Sequence, residues 1–339
     1  MERKELLQVK GLETTFFTED GAIPAVDNID FSLREGEILG IVGESGCGKS
    51  VTSLSIMGLV PSPPGKVTNG EILLEGTDLA KFSDKEMRKI RGKEVAMIFQ
   101  EPMTSLNPLF TIGNQLTEAI LIHNKKWSKK KAEERAIEMM KLVGLPRSEE
   151  LLKEYPHQLS GGMRQRVMIA MALVCDPKIL IADEPTTALD VTIQAQILQL
   201  MRDLNKRLNT AVMLITHDLG VVAETCERVV VMYSGQIVEE GPVDLIFKDP
   251  QHPYTKGLIQ SVPDMRFKKD RLYSIRGNVP KPGSIKQGCR FAARCEWAHE
   301  RCLQENPPLY QTGEHHKTRC FLVSGKEAHI DDRAIVESK

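Results

Sequence analysis

The chain has 339 residues, with 45 Lys and Arg against 46 Asp and Glu, so its formal net charge is -1 at pH 7. A charge so close to zero gives no global field to draw the protein to nucleic acid or to anionic lipid. The length exceeds one typical domain and predicts a large unit of about 240 residues followed by an appendage.

The sequence shows no segment that would direct the chain into a membrane. No stretch approaches about 18 consecutive apolar residues, and the start from Met1 to Glu5 lacks the apolar core of a signal peptide. We therefore expect a protein that stays in the cytoplasm. The seven cysteines are then expected to be core residues, metal ligands or redox groups more often than disulfides.

The first part of the chain, from about residue 6 to residue 38, predicts a small antiparallel β layer. Apolar and polar residues alternate there in short runs that are separated by turn residues. Phe16 and Phe17 come just before the first turn. An aromatic side chain at this place can stack on a flat base, and a buried core phenylalanine is an equally good interpretation. Of the two, we favour Phe16.

The most informative stretch is an apolar strand, Ile38–Val42, that runs directly into a glycine-rich loop, Gly43–Ser50. The loop fits the spacing G-x-x-x-x-G-K-[ST], in which small residues let successive backbone N–H groups surround phosphate oxygens. Lys49 adds a charge for the β- and γ-phosphates, and Ser50 offers a hydroxyl to Mg²⁺. The helix that begins here directs its positive end at the anion. A glycine-rich turn without a ligand is the alternative.

The middle of the chain predicts a strand followed by a helical region. Gln100 directly follows the apolar run Val95–Phe99. Its amide can reach a metal-bound water or a nucleophile, and a surface amide before a proline-broken loop is the alternative. From about 111 to 172 the pattern is helical, and the clearest helix runs from Ser128, which can cap it, to Val143.

A second candidate anion site lies at Leu159–Arg166, which reads LSGGMRQR before an apolar helix. A polar serine and two glycines at a helix start leave backbone N–H groups free to bind an anion. This segment cannot easily serve the phosphates held by Gly43–Ser50, because each segment begins its own helix and takes the anion at that end. The phosphate of a partner molecule is therefore the expected target.

Two strand ends carry the candidate catalytic groups. The apolar run 178–182 ends in Asp183 and Glu184, as expected of a buried parallel strand that leads into an active site. Asp183 can hold Mg²⁺ through water, and Glu184 can accept a proton from an attacking water. His217 follows the apolar run Ala211–Ile215, and a phosphate contact is favoured for it over a structural role. Solvated loop charges are the alternative for the two acids.

A helix and two strands complete this unit. Asp190 is placed to cap a helix whose apolar stripe runs from Ile193 to Leu208, and the capping role is compatible with a functional one. The runs Val229–Tyr233 and Gln236–Glu239 then predict strands that close around a Ser-Gly turn.

The order and spacing of these motifs resemble those of ATP-binding cassette (ABC) ATPases over roughly residues 5–245. The family's motifs have counterparts here in chain order: the A-loop aromatic at Phe16, Walker A at Gly43–Ser50, the Q-loop at Gln100, the signature at Leu159–Gln165, Walker B at Ile179–Glu184, the D-loop at Ala188–Asp190 and the switch histidine at His217. Two positions depart from the commonest pattern, Phe16 where tyrosine is frequent and Met163 where glutamine is usual. The serine and glycines of the signature are intact.

The resemblance implies an α/β fold of the ABC-type P-loop NTPase class. Such a fold has a RecA-like core, an N-terminal antiparallel β layer and an inserted helical subdomain. The implied domains are a nucleotide-binding domain over residues 1–245, with its helical subdomain at about 101–172, and a small, irregular, cysteine-rich extension over 246–339.

The resemblance also implies ATP hydrolysis with Mg²⁺ between two cassettes arranged head to tail. Glu184 would activate water, His217 would steady the transferred phosphoryl group, and Gln100 would complete the catalytic set. The residues implied to contact nucleotide are Phe16, Gly43, Glu44, Ser45, Gly46, Cys47, Gly48, Lys49, Ser50, Val51, Ser160, Gly161, Gly162 and Asp190. Those implied to hold Mg²⁺ are Ser50, Gln100 and Asp183. The helical subdomain would transmit closure to a membrane partner.

A closer resemblance covers nearly the whole chain. Gly43-Glu44-Ser45, the signature ending Met163–Arg166, the run His252–Thr255 and the cysteine-bearing tail are similar to ATP-binding subunits of dipeptide and oligopeptide importers. This likeness implies two transmembrane permease subunits, a sister or identical ATPase subunit and, indirectly, an extracytoplasmic solute-binding protein. It implies a peripheral place on the cytoplasmic face of the cell membrane, with no nucleic acid as partner.

Three other functions remain open at this point. Some relatives with similar tails carry nickel or other small solutes, and the cassette itself does not reveal the solute. A soluble cassette ATPase acting on nucleic acid or ribosomes would need strand-binding insertions, a second cassette or long coiled coils, which the sequence does not show. A nucleotide-responsive scaffold is disfavoured by the intact Glu184 and His217.

The tail contains a group of cysteines whose spacings are C-x₅-C, C-x₆-C and C-x₁₇-C: Cys289, Cys295, Cys302 and Cys320. An arginine adjoins each of them: Arg290, Arg294, Arg301 and Arg319. Four thiolates suit a [4Fe–4S] cluster, whose negative charge such cations can offset. Peptide-importer relatives with this tail bind such a cluster, so an iron–sulfur centre that staples the tail is favoured; zinc, disulfides and free thiols remain alternatives.

Overall fold

The fold consists of two β-sheets, a helical region and a C-terminal segment, seen in a computed structural model that describes residues 3–19, 21–100, 105–187, 189–262 and 273–325. None of the helices within these ranges is long and apolar enough to cross a bilayer. The helices are α1 (Lys49–Ile56), α2 (Asp84–Ile90), α3 (Ile112–His123), α4 (Lys129–Leu142), α5 (Ser148–Leu151), α6 (Gly161–Leu173), α7 (Val191–Leu208), α8 (Leu219–Thr225), α9 (Val243–Lys248), α10 (Pro253–Gln260) and α11 (Glu300–Gln304).

The smaller sheet is the predicted antiparallel layer. Its strands are β1 (Glu5–Thr18), β2 (Gly21–Arg34), β4 (Gly65–Leu74) and β5 (Thr77–Asp78), in the order β2-β1-β4-β5. Along β1, Leu7 and Val9 are fully buried while Gln8 between them is not, because successive side chains of a strand point to opposite faces. One face of this layer therefore packs on the core of the cassette.

The larger sheet has a parallel centre. Its parallel strands are β3 (Ile38–Val42), β6 (Val95–Ile98), β7 (Ile179–Asp183), β8 (Ala211–Thr216) and β9 (Arg228–Tyr233), in the order β9-β3-β8-β7-β6. Every residue of β3, β7 and β8 is buried, as expected of parallel strands that are covered on both faces. The carboxyl ends of β3, β7 and β8 consequently meet at one edge, which is where ligands bind in such sheets.

The helix starts follow the predicted caps. The hydroxyl of Ser128 accepts the backbone N–H of Lys131 at 3.3 Å, at the start of α4. A carboxylate oxygen of Asp190 accepts the N–H of Ile193 at 2.9 Å, at the start of α7. Each of these bonds satisfies one of the N–H groups that lack a partner in the first turn of a helix.

The predicted helical region is present from residue 105 onward, and residues 101–104 lie outside the described ranges. Helices α3, α4 and α6 share one core, to which Leu116, Ala136 and Met139 contribute fully buried side chains. The helix over Lys129–Leu142 packs its apolar stripe inward, as its periodicity predicts.

The C-terminal segment extends the larger sheet. Strand β10 (Gln236–Pro242) pairs antiparallel with β9, and a hairpin of β11 (Tyr310–Gly313) and β12 (His316–Thr318) then adds β12 to the free side of β10. The fully buried Glu239 accepts the backbone N–H of His252 at 3.0 Å and contacts the Nε2 of His316 at 2.9 Å. The tail is therefore joined to the cassette by backbone and side chain, and the predicted boundary near residue 245 stays a prediction.

Candidate active site

The loop Gly43–Ser50 connects β3 to α1 and has a backbone that requires glycine at two points. Gly43 and Gly48 have φ values of 152° and 106°. A Cβ at Gly43 would lie 2.2 Å from the carbonyl oxygen of Met232, and one at Gly48 would lie 2.6 Å from that of Ala25. Only a residue without a side chain fits there, so the loop is held tightly against β2 and β9.

Lys49 is the first residue of α1, and its side chain folds back into the loop. Its ammonium group donates to the carbonyls of Gly43 at 2.7 Å and Glu44 at 3.2 Å, and the residue is only 6% exposed. The charge is thus held at the concave side of the loop, beside the free N–H groups of the first turn of α1. Together they form a site for a polyphosphate.

Asp183 lies at the end of β7 and shares a hydrogen bond with Ser50 of α1. The residue is 3% exposed, and its Oδ1 has no hydrogen-bond partner among the described residues. Burial raises the pKa of Asp183, and the hydrogen bond with Ser50 opposes that rise. A buried carboxylate oxygen without a partner, next to a hydroxyl, matches the oxygen ligands that Mg²⁺ takes when phosphates supply the rest.

Glu184 lies next to Asp183 and is contacted by two of the predicted catalytic side chains. The Nδ1 of His217 is 3.2 Å from its Oε1, and the Nε2 of Gln100 donates to its Oε2 at 3.3 Å. Thr187, which the sequence did not indicate, donates to the same Oε2 at 3.1 Å. The structure therefore brings the three predicted catalytic residues to one point at the end of the sheet.

Burial of Glu184 favours its neutral form, but the contact with His217 and the hydrogen bond from Thr187 outweigh burial and lower the pKa of this carboxyl group. Glu184 is consequently ionised at neutral pH. An ionised carboxylate held by neighbouring donors is able to orient a water and accept its proton.

The second candidate anion site is the start of α6. Ser160 caps this helix through its hydroxyl, which accepts the N–H of Met163 at 3.3 Å, and the residue is exposed. A Cβ at Gly161 would meet no atom within 4 Å. This helix end is therefore open to a large ligand from outside. The buried amide of Gln165, which the sequence did not single out, donates to the carbonyl of Pro185 at 2.5 Å and links α6 to the segment after Glu184.

The two phenylalanines at the end of β1 are placed differently. Phe17 is 54% exposed, whereas Phe16 is partly buried beside Gly65. Thr14, two residues before Phe16 on the same face of β1, shares a hydrogen bond of 2.8 Å with Ser55 of α1. Phe16 thus lies on the face that is turned toward the phosphate-loop helix, and its contact with a base stays a prediction. Of the predicted D-loop, Ala188 lies outside the described residues.

The C-terminal segment contacts the phosphate loop directly, which the sequence reasoning missed. The hydroxyl of Tyr254 accepts the backbone N–H of Glu44 at 2.8 Å, and the guanidinium of Arg294 pairs with the Glu44 carboxylate at 2.7 and 3.0 Å. Arg294 was singled out only as a neighbour of Cys295. The signal in the sequence that could have indicated this pair was Glu44. A carboxylate inside a phosphate-binding loop repels the phosphates unless a cation neutralises it.

The predicted cysteines of the tail come together. All line one small pocket beside Phe291 and Phe321: Cys289, Cys295, Cys302 and Cys320. They are free thiols without a disulfide, and burial raises the pKa of Cys320 to about 11. Among the described residues, however, no three His, Cys, Asp or Glu side chains are arranged to hold a metal ion. The structure thus groups the predicted thiols but does not confirm a metal centre.

Comparison with protein families gives two matches. The family described as ABC transporter matches residues 26–187, and the family described as the C-terminal region of oligopeptide/dipeptide transporters matches residues 238–302. The first match contains the phosphate loop and both strand-end acids, and the second contains most of β10 and three of the four grouped cysteines.

Similar proteins extend the match to almost the whole chain. The oligopeptide transport ATP-binding protein AppD of Bacillus subtilis is 56% identical over 95% of this chain and 98% of its own length. The dipeptide transport ATP-binding protein DppD of the same organism is 52% identical over 96% of this chain and 97% of its own.

Solved structures resemble the cassette part. A dimeric bacterial ABC transporter cassette, MJ0796, covers 70% of this chain and 98% of its own, with 32% identity and a TM-score of 0.62. The same cassette in a post-hydrolysis dimer bound to ADP and Pi gives a TM-score of 0.62 at 31% identity. These similarities confirm the fold class expected from the sequence.

Proposed function

We propose, on the premise that this chain belongs to the ABC transporter family and to its branch of oligopeptide and dipeptide transport ATP-binding proteins, that it is the ATP-hydrolysing subunit of a peptide importer. The observation that carries the proposal is the convergence of Gln100, Glu184 and His217 beside a phosphate loop, in a chain 56% identical to a peptide-transport ATPase subunit. ATP hydrolysis by this subunit supplies the free energy for transport, and other subunits determine which solute is bound.

The nucleotide is held mainly by groups of one chain. Lys49 and the N–H groups of the loop bind the phosphates. Ser50 and Asp183 would hold Mg²⁺, which would supply positive charge to offset that of the phosphates. Lys49 then exchanges its contacts with the loop carbonyls for phosphate oxygens. Phe16 is the side chain that we assign to stacking on the base of the nucleotide.

The catalytic step depends on Glu184 and His217. The ionised Glu184 orients the attacking water and accepts its proton, and His217 donates a hydrogen bond to the transferred phosphoryl group. Gln100 donates to Glu184 at 3.3 Å, and it is also assigned to the residues that would hold Mg²⁺. The low pKa of Glu184 suits this role, because the carboxylate is charged before water arrives.

Ser160, Gly161 and Gly162 are assigned to the nucleotide of a second cassette. The exposed, open start of α6 supports this assignment, because a helix end that is free of its own chain can receive a phosphate from a partner. Two cassettes arranged head to tail then enclose two nucleotides, and hydrolysis releases the pair. The partner is a sister ATPase subunit or an identical chain.

The membrane partner is assigned to a groove on the helical region. The groove has a volume of about 990 Å³, and its lining combines apolar side chains such as Phe110, Ile122 and Met171 with polar ones such as Glu118 and Lys129. Phe110 and Ile122 are 51% and 58% exposed and line the same groove, and contiguous exposed apolar surface marks sites of protein contact. An amphipathic helix from a permease loop fits such a groove, and this contact would hold the chain on the cytoplasmic face of the membrane.

The grouped thiols support a [4Fe–4S] cluster as the finer proposal for the tail. Four free cysteines on one pocket are the donor set that such a cluster takes. When bound, the cluster supplies bonds that join four points of the tail.

The function is tested by isolating the chain with its partners. We expect it to co-purify with two polytopic permease subunits, and we expect peptide-loaded binding protein to stimulate its ATPase activity in proteoliposomes. If nickel-loaded binding protein stimulates the ATPase activity and peptide-loaded binding protein does not, the transported solute is nickel and not peptide. Recovery on ribosomes or nucleic acid, without membrane proteins, would overturn the transport function.

A further inference from the structure

The phosphate loop contains one acidic side chain, that of Glu44, and the tail supplies its counterion. Arg294 binds the carboxylate through both terminal nitrogens, at 2.7 and 3.0 Å. Side-chain exposure is 5% for Arg294 and 30% for Glu44, so the pair is largely shielded from water. A paired arrangement of two N–H groups on one carboxylate is the strongest and most directional form of this interaction.

Arg294 is also held by contacts with residues outside the phosphate loop. Its Nε donates to the carbonyl of Arg276 at 2.9 Å, and its guanidinium lies 5.7 Å from the ring centre of Tyr233 and 5.9 Å from that of Phe291. The contact with Glu44 raises the pKa of Arg294 further above its ordinary value. The cation is therefore held in one orientation by groups that do not belong to the loop.

The tail holds the same loop residue at a second point. Tyr254 is fully buried, and its hydroxyl accepts the backbone N–H of Glu44 at 2.8 Å. Its ring centre lies 4.7 Å from that of Tyr233 and 5.4 Å from that of Phe291. Both the backbone and the side chain of Glu44 are thus tied to one aromatic cluster, formed by Tyr233, Tyr254 and Phe291.

This arrangement solves an electrostatic problem in the loop. A polyphosphate carries several negative charges, and a free carboxylate within the loop that binds it would repel them. A cation that binds both carboxylate oxygens offsets this repulsion and holds the acid in one orientation. Lys49 alone cannot do both tasks, since it is the cation that the phosphates themselves require.

We propose that Arg294 is a positioning residue for nucleotide binding, which acts by neutralising and orienting Glu44 of the phosphate loop. The inference rests on the nucleotide-binding part of the proposed function and assigns to the tail a role in ATP affinity. It does not depend on whether the neighbouring thiols hold a cluster.

The test compares three full-length variants by isothermal titration with MgADP, which fills the loop without hydrolysis. Arg294→Gln is expected to weaken binding about tenfold, because it leaves the Glu44 charge unpaired. Glu44→Gln removes that charge and sets the reference affinity of a loop that has no acid to neutralise. The double variant is expected to recover the affinity of Glu44→Gln, and the loss in Arg294→Gln is expected to shrink at high salt.

Two further variants separate positioning from folding. Arg294→Lys keeps the charge and is expected to bind MgADP within about threefold of wild type. Arg301→Gln alters another arginine beside a tail cysteine, one that pairs with Glu305 at the C-cap of α11, and is expected to leave affinity unchanged. In steady-state assays, Arg294→Gln should raise the KM for ATP with little change in kcat.

Different results would overturn the role of Arg294 and the proposed function. If the double variant binds as weakly as Arg294→Gln, or if Arg294→Gln binds as tightly as wild type, the inference is overturned. Failure of the wild-type protein to bind MgADP would instead overturn the proposed function.

Discussion

The Nδ1 of His217 lies 3.2 Å from a carboxylate oxygen of Glu184, and this contact joins the ends of two adjacent strands, β7 and β8. The sheet therefore aligns the proposed base and the proposed phosphate contact with each other. Alignment of this kind lowers the cost of organising the site during reaction.

The first prediction concerns Glu184 itself. Glu184→Gln keeps the shape of the side chain but cannot accept a proton, so we expect kcat to fall by a factor of about 10² to 10⁴. MgADP affinity should stay near that of wild type, because the loop is untouched. Phosphate release measures the first quantity and calorimetry the second. Glu134→Gln, an exposed change on α4, is the control; normal turnover in Glu184→Gln would remove this residue from the mechanism.

The second prediction concerns the open start of α6. Gly161→Asp fits without a clash, because a Cβ there meets no atom within 4 Å. A carboxylate suits the helix end but repels the partner's γ-phosphate, so turnover and ATP-driven pairing of cassettes should be lost while MgADP binding persists. Gly161→Asn has nearly the same shape without the charge and should lose much less. Equal losses in the two variants would mean that this helix end meets no phosphate.

The third prediction concerns the groove on the helical region. Ile122→Asp places a charge on the exposed apolar surface and should reduce co-purification with the permease, while the basal ATPase activity of the isolated chain is retained. Leu245→Asp, at a residue 42% exposed on α9, is the matched control and should retain the permease. Pull-down from detergent-solubilised membranes measures both. Retention by Ile122→Asp would place the membrane contact elsewhere.

The fourth prediction is a pH dependence of stability. Glu75 follows β4 and pairs with Lys4 at 2.7 Å and with Lys178, which precedes β7. Hydrogen bonds from Lys178 and Lys4 lower the pKa of Glu75 from 4.5 to about 2. The lowered value means that its contribution is complete above about pH 4.5 and is lost as the pH falls toward 2.

Glu75→Gln should therefore destabilise the protein by about 0.2–1 kcal/mol at pH 7, since the pair is partly exposed. The difference from wild type should narrow as the pH falls toward 3 and also at high salt. Denaturant titrations at several pH values measure it. A difference that grows on acidification would contradict this interpretation of the pair.

The fifth prediction concerns the grouped thiols. Protein purified without oxygen should show a broad absorption near 400 nm and contain iron and sulfide in equal amounts. Cys302→Ala should lose this absorption, whereas Cys175→Ala, at a cysteine that does not line this pocket, should retain it. Zinc in elemental analysis without the absorption band would replace the iron–sulfur proposal with a zinc site.

The sequence predicts the parts of the site that depend on short segments. The loop Gly43–Ser50 has a fixed spacing. The two acids lie at the end of β7 and His217 directly follows β8, so a general rule about the carboxyl edge of parallel strands places them together. The cap at Asp190 is equally local and is confirmed by its hydrogen bond to Ile193.

The remaining contacts could not be predicted, because they join distant segments without a repeating pattern. Glu44 and Arg294 are 250 positions apart, and neither stands in a periodic stretch that would indicate the other. The hairpin of β11 and β12 has strands of four and three residues, too short for alternation to be informative. In both cases tertiary packing selects the partner.

The addition of β12 to β10 bears on how the protein can be shortened. A chain cut near residue 245 would leave β10 with one side unpaired, and an open strand edge is a template for joining other molecules into aggregates. Such a cut would also remove Tyr254 and Arg294 from the loop. The smallest soluble fragment that keeps a competent phosphate loop should therefore extend at least through Thr318.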